Sequence, residues 1–232
     1  MIFDKMPNTD FDGNRKLFPK KPLELEPNTV YCLVGCNGSG KTTLVDYMIG
    51  NLQKIGAEKA YDRLAGLRRA FSGKEFDFTK CDNYYISFDR KSEDGINEDY
   101  FISRAMTTYC STGESIVTRF GGVLGILGDF IRKPEYKGKN LFIFFDDCDA
   151  GTSLDVICEI IDVINMIKND CAANEITYYF ILTANSYEIA RNCQCIDVST
   201  FKPVSFKDYE DYKKFVLKSK ARKDKSFKKE SE

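Results

Sequence analysis

The segment TVYCLVGCNGSGKTTLVDYMIGNL, residues 29–52, constrains this chain more than any other. A short β-prone apolar run enters a glycine-rich turn and leaves as an apolar stretch at helical spacing, which reads as strand, loop, helix. The turn, Gly35-Cys-Asn-Gly-Ser-Gly-Lys-Thr, satisfies the pattern GxxxxGK[ST]. Chemistry explains the spacing: glycines let successive backbone N–H groups face one anionic centre, and Lys41 reaches the outer phosphates of a bound nucleotide. Thr42 offers a hydroxyl to Mg²⁺, and the following helix points its positive end at the phosphates. A chance match in a chain of this length is on the order of 1%. The candidate nucleotide contacts are Gly35, Asn37, Gly38, Ser39, Gly40, Lys41, Thr42 and Thr43.

A phosphate site of this kind needs a second acid at the end of another core strand. LFIFFDD, residues 141–147, supplies it: five apolar residues run into two carboxylates, with Asp146 placed to hold the metal and Asp147 to polarise an attacking water. Around these motifs the chain alternates strand and helix. Leu23–Glu26 reads as an edge strand, 59–73 as an amphipathic helix, and Tyr84–Phe88 as a buried strand ending in Asp89. A Ser-capped helix follows from Ser111 to Ile131, then a helix over 154–168 and a buried strand in ITYYFILTAN. The expected class is α/β, with a mainly parallel sheet flanked by helices and a small antiparallel β edge.

Composition removes other chemistries. The chain has no histidine and no tryptophan, so imidazole-based catalysis is excluded. Its nine cysteines are odd in number and form no CxxC pair, which points to reduced thiols rather than a disulfide framework or a zinc site. No stretch approaches the roughly 18 apolar residues of a membrane span, and the first residues lack the basic start and apolar run of a signal peptide, so a cytoplasmic location is expected. Residues 213–229 carry nine basic residues and one acid, a local net charge of +8. With Glu230 and Glu232 counted, residues 1–212 hold −7 of the chain's total of −1. The expected division is therefore a domain over 1–212 and a basic tail over 213–232, the tail being either a solvated helix end or a contact for nucleic acid or an acidic protein.

Taken together, these motifs resemble those of the ABC-type P-loop ATPases, within the soluble branch that includes SMC proteins, DNA-repair ATPases and the overcoming-lysogenization-defect type. The resemblance spans roughly residues 23–198. GCNGSGKTT is similar to the family's GxNGxGKTT form of Walker A, and CSTGES at 110–115 to its signature motif. DDCDAGTSLD is similar to the Walker B and D-loop stretch, and the motifs occur in the family's order. The resemblance implies ATP and Mg²⁺ as ligands and a helical signature lobe at about 90–135. It also implies an ATP-dependent homodimer in which Ser111, Thr112, Gly113 and Glu114 of one copy meet the nucleotide of the other. Ser153 and Asp155 would form the D-loop, with metal contacts from Thr42, Asp146 and Asp89, and Lys41, Asp147 and Asn185 in the reaction itself.

Three departures bear on turnover. No glutamine follows the 84–88 strand, so Asp89 is the nearest polar substitute for the family's metal-side glutamine. Asn185, in TANSYEI, takes the position of the family's switch histidine and carries no proton, and Asp147 is one methylene shorter than the usual Glu. All three predict tight binding and slow hydrolysis. Only 69 positions separate Lys41 from Cys110, which leaves no room for a long coiled-coil arm. Three functions remain open: an ATPase in DNA maintenance or a phage or antiphage complex, a nucleotide-gated regulatory module with incidental hydrolysis, or a transporter's ATP-binding subunit.

Overall fold

A computed structural model describes residues 1–3, 18–59, 82–88, 127–128, 130–149 and 152–228. Among them, seven strands form one sheet. Its order is β4 (Glu58–Lys59), β5 (Asn83–Phe88), β6 (Asn140–Phe145), β7 (Thr177–Thr183), β3 (Thr29–Val34), β8 (Gln194–Asp197) and β9 (Lys202–Val204). Every pairing is parallel except β8 with β9. The separate ribbon of β1 (Ile2–Phe3) and β2 (Leu23–Glu24) is antiparallel. The expected α/β class, mainly parallel with a small antiparallel edge, is the class observed.

The central strands are apolar at nearly every interior position because both faces of the sheet are covered. Val30, Cys32, Val34, Leu141, Ile143, Phe145, Phe180 and Leu182 face one core. Their neighbours Tyr31, Leu33, Phe142, Phe144 and Ile181 face the other. The first face is covered by α2 (Leu154–Ala173), whose Ile157, Ile160, Ile164, Ile167 and Cys171 recur at three- and four-residue intervals. Each fully buried isoleucine contributes about 1.5–3 kcal/mol. The second face is covered by α1 (Lys41–Lys54) through Leu44, Val45, Met48 and Leu52.

Two further helices follow, the single turn α3 (Tyr187–Ala190) and the long α4 (Tyr209–Lys228). Helix α4 runs across position 212, and its Tyr212, Phe215 and Val216 pack on the first core. Of the helix expected over 59–73, Lys59 instead closes β4, and the remainder lies outside the described residues. The lobe expected at 90–135 is described only from 127, where a helical segment leads into Pro134–Tyr136. The cysteines among the described residues are free thiols.

Candidate functional site

Strand register brings the chemistry to one end of the sheet. Strand β7 lies between β3 and β6, with Leu33 paired to Thr183 and Phe145 to Leu182. The glycine-rich turn after β3, the two acids after β6 and the TAN segment after β7 therefore leave the sheet side by side. Substrate sites in open parallel sheets form at this edge, beyond the carboxyl ends of the strands.

The turn adopts a conformation that only its glycines permit. Gly38 has φ +72° and Gly40 φ +94°, both in the left-handed region. A Cβ added to Gly35 would come within 2.5 Å of Ser39 Oγ. Lys41, the first residue of α1, is held by three oxygens: Gly35 O at 3.2 Å, Cys36 O at 3.5 Å and Asn185 Oδ1 at 3.0 Å. Burial pushes the Lys41 ammonium below its ordinary value, while the carboxylates of Asp149 and Asp147 oppose that shift. Ser39 Oγ is buried without a hydrogen-bond partner. Asn37 and Thr42 are exposed, with Thr43 half-buried beside them. The cradle thus holds one half-buried cation, Lys41, with the Asn37 and Thr42 side chains exposed beside it.

The acidic side is built on Thr183. Its Oγ1 donates to Asp146 Oδ1 at 2.5 Å and accepts from the Asp147 N–H at 2.7 Å. One threonine therefore fixes the carboxylate of the first acid and the backbone of the second. Asp147 sits at φ +54°, a left-handed conformation that Asp tolerates better than most residues. Asp149 accepts from the Asn185 N–H at 2.7 Å through Oδ2, while its Oδ1 is buried without a partner. Burial pushes the Asp149 carboxyl up, against the backbone N–H groups of Asn185 and Ser186.

Helix α4 reaches the same place from the other end of the chain. The Cys36 N–H donates to Ser219 Oγ at 3.1 Å, Lys223 Nζ to Asn37 O at 2.7 Å, and the Tyr212 hydroxyl to Asn185 O at 2.8 Å. Arg222 donates both guanidinium nitrogens to Asp197 Oδ2 at 3.0 Å.

Of the candidate site residues, Lys41 is hydrogen-bonded to Asn185, and Asp146 and Asp147 are both bonded to Thr183 at the end of the strand that leads to Asn185. Ser153 and Asp155 lie exposed at the start of α2, away from these contacts, and the Ser153 hydroxyl holds the Asp155 carboxyl below its ordinary value. Asp89 and the segment Ser111, Thr112, Gly113 and Glu114 lie outside the described residues. Phe18 stacks on Phe201 in the core, and the Tyr31 hydroxyl accepts from the Glu26 N–H. Thr183, Asp149, Tyr212, Ser219 and Lys223 were not singled out from sequence. For Asp149 a signal was present, since it is the third acid of DDCDAG.

No family model matches the chain, and no curated protein matches it. Among solved structures it is similar to MJ1267, an ATP-binding cassette of an ABC transporter, at 14% identity over 96% of both chains with a TM-score of 0.47. The ADP conformation of MJ1267 is similar at 12% identity, over 88% of this chain and 92% of that one, with a TM-score of 0.44.

Proposed function

We propose that the protein binds ATP in the 35–43 turn and hydrolyses it slowly, pairing head to tail with a second copy in the ATP state. The observation that carries this reading is the convergence of Lys41, Asp146, Asp147 and Asn185 at the ends of three adjacent strands, with Lys41 already hydrogen-bonded to Asn185.

The residues fit Mg²⁺ bound together with a nucleotide. Thr42 and Asp146 are hard oxygen donors, and among the described residues no group of three or more His, Cys, Asp or Glu makes a closed protein cage. When bound, the ion neutralises charge that develops on the phosphoryl oxygens. Lys41 exchanges its carbonyl and amide oxygens for phosphate oxygens. Asp147 accepts a hydrogen bond from the attacking water, and Asn185 orients the terminal phosphate by hydrogen bonding alone. Asp147 is short and is held by the backbone geometry that Thr183 sets, which accounts for slow turnover. Ser111, Thr112, Gly113 and Glu114 of a second copy would close the site, with Ser153 and Asp155 at the interface.

A role in DNA maintenance or a phage or antiphage complex is supported by the exposed lysines of α4, such as Lys214, Lys218, Lys220 and Lys225, which present positive charge beside an acidic body. A second reading, a nucleotide-gated regulatory module acting on a protein partner, is favoured by Asn185, which cannot relay a proton. Steady-state turnover of wild type and Lys41→Ala, with and without single- and double-stranded DNA at two salt concentrations, separates them. DNA stimulation of the wild type that fades with salt supports the first reading. Unstimulated turnover together with ATP-dependent dimers on sizing supports the second.

A further inference from the structure

Three side chains of α4 touch the candidate site, and all three lie on one face of the helix: Tyr212, Ser219 seven residues on, and Lys223 four beyond that. Ser219 is 1% exposed in the middle of a helix otherwise crowded with lysines. A helical serine usually turns to solvent or back to its own backbone. Here its oxygen instead accepts from the Cys36 N–H, 183 positions away and itself buried. One turn later Lys223 holds the next residue of the same loop by the Asn37 carbonyl. At the other end Tyr212 holds the Asn185 carbonyl, and Asn185 holds Lys41. Arg222 locks this face to the sheet through Asp197, which is 3% exposed and paired in register with Val34, the residue just before the loop.

We infer that Ser219, with Lys223 and Tyr212, positions the phosphate loop, so that nucleotide binding and the seating of α4 are one coupled equilibrium. The inference rests on the nucleotide reading of the 35–43 turn. A loop with glycines at 35, 38 and 40 loses much backbone freedom when it closes on a ligand. Hydrogen bonds that already hold Cys36 and Asn37 reduce that ordering cost and raise affinity. All three residues act through other groups, so they are positioning residues. Linkage makes the effect reciprocal: a nucleotide that favours the seated loop must also favour the seated helix. The end of the chain thereby reports on the nucleotide state to whatever meets the outer, lysine-rich face of α4.

The test uses the full chain, with fluorescent ADP titration and hydrogen exchange over 212–223. Ser219→Ala strands the Cys36 N–H and is expected to weaken ADP binding about tenfold. Lys223→Ala, at a partly exposed position that does not endanger folding, is expected to weaken it about threefold. Lys223→Arg, which keeps a donor, and Asp224→Asn, exposed on the same helix, are expected to stay within about twofold of wild type. ADP is expected to slow exchange over 212–223 in the wild type and not in Lys41→Ala. If Lys223→Ala and a folded Ser219→Ala bind ADP like the wild type, or if ADP leaves α4 exchange unchanged while binding is intact, the positioning role is wrong and the nucleotide reading stands. If the wild type binds no ADP and Lys41→Ala is indistinguishable from it, both fall.

Discussion

The Lys41 ammonium donates to Asn185 Oδ1 across 3.0 Å, joining groups 144 positions apart in sequence. On the proposed reading a phosphate that takes Lys41 replaces one of its three oxygen acceptors, of which Asn185 Oδ1 is the only side-chain group, so Asn185 competes for the lysine before binding. Asn185→Ala removes this competition and the proposed hydrogen bond to the terminal phosphate. It is expected to leave ADP affinity equal or up to about threefold tighter while lowering ATP turnover about tenfold, the kinetic equivalent of one hydrogen bond. Fluorescent ADP titration and phosphate release measure the two effects separately.

Thr183 is 1% exposed, and its hydroxyl serves both acids. Thr183→Val keeps the shape and deletes the bridge, removing the Thr183 hydroxyl from both the Asp147 N–H and Asp146 Oδ1. A loss of about 1–3 kcal/mol in denaturant-derived stability is expected, together with a larger proportional loss in kcat than in nucleotide affinity.

Asp147 combines a short side chain with φ +54°. Asp147→Glu extends the carboxylate toward the water but gives up the residue type best suited to that backbone. It is expected to raise turnover severalfold and to cost about 0.5–1 kcal/mol of stability. Turnover that falls on this change would show that reach does not limit hydrolysis.

Asp149 is half-buried with its Oδ1 buried and unpartnered, and burial raises its pKa above 3.8. The sign follows from linkage: the ionised form is disfavoured in the folded state. The penalty is full above the raised folded pKa and disappears as pH falls to the unfolded value of 3.8. Asp149→Asn, which keeps an acceptor for the Asn185 N–H, is expected to be more stable than the wild type at pH 7. That advantage should shrink to nothing near pH 4, as followed by urea unfolding across pH 4–8.

The elements that carry the chemistry were legible because they are buried on both sides. LFIFF reads as a strand without regard to alternation, and the acids that end it mark its carboxyl edge. Asn185 came from the resemblance of TANSYEI to the family's switch-histidine stretch, not from periodicity. What could not be read depends on register or on packing across the chain. The bridge from Thr183 to Asp146 and Asp147 exists only because β7 is placed beside β6 with Leu182 opposite Phe145. Helix α4 was hidden by its own lysines: the residues that seat it, Tyr212, Phe215, Val216 and Ser219, are few among many charges. A count of basic residues describes its solvent face and misses the face on the loop. Strand β4 is only two residues long and carries no periodicity.

The central claim is that the 35–43 turn binds a nucleotide through Lys41. Equilibrium titration of fluorescent ATP into wild type and Lys41→Ala, with competition by unlabelled ATP, ADP and AMP, tests it most directly. Saturable binding by the wild type is predicted, displaced by ATP and ADP but far less by AMP and weakened at least about 100-fold in Lys41→Ala. Equal binding by the two proteins, or none by a folded wild type, would contradict the account.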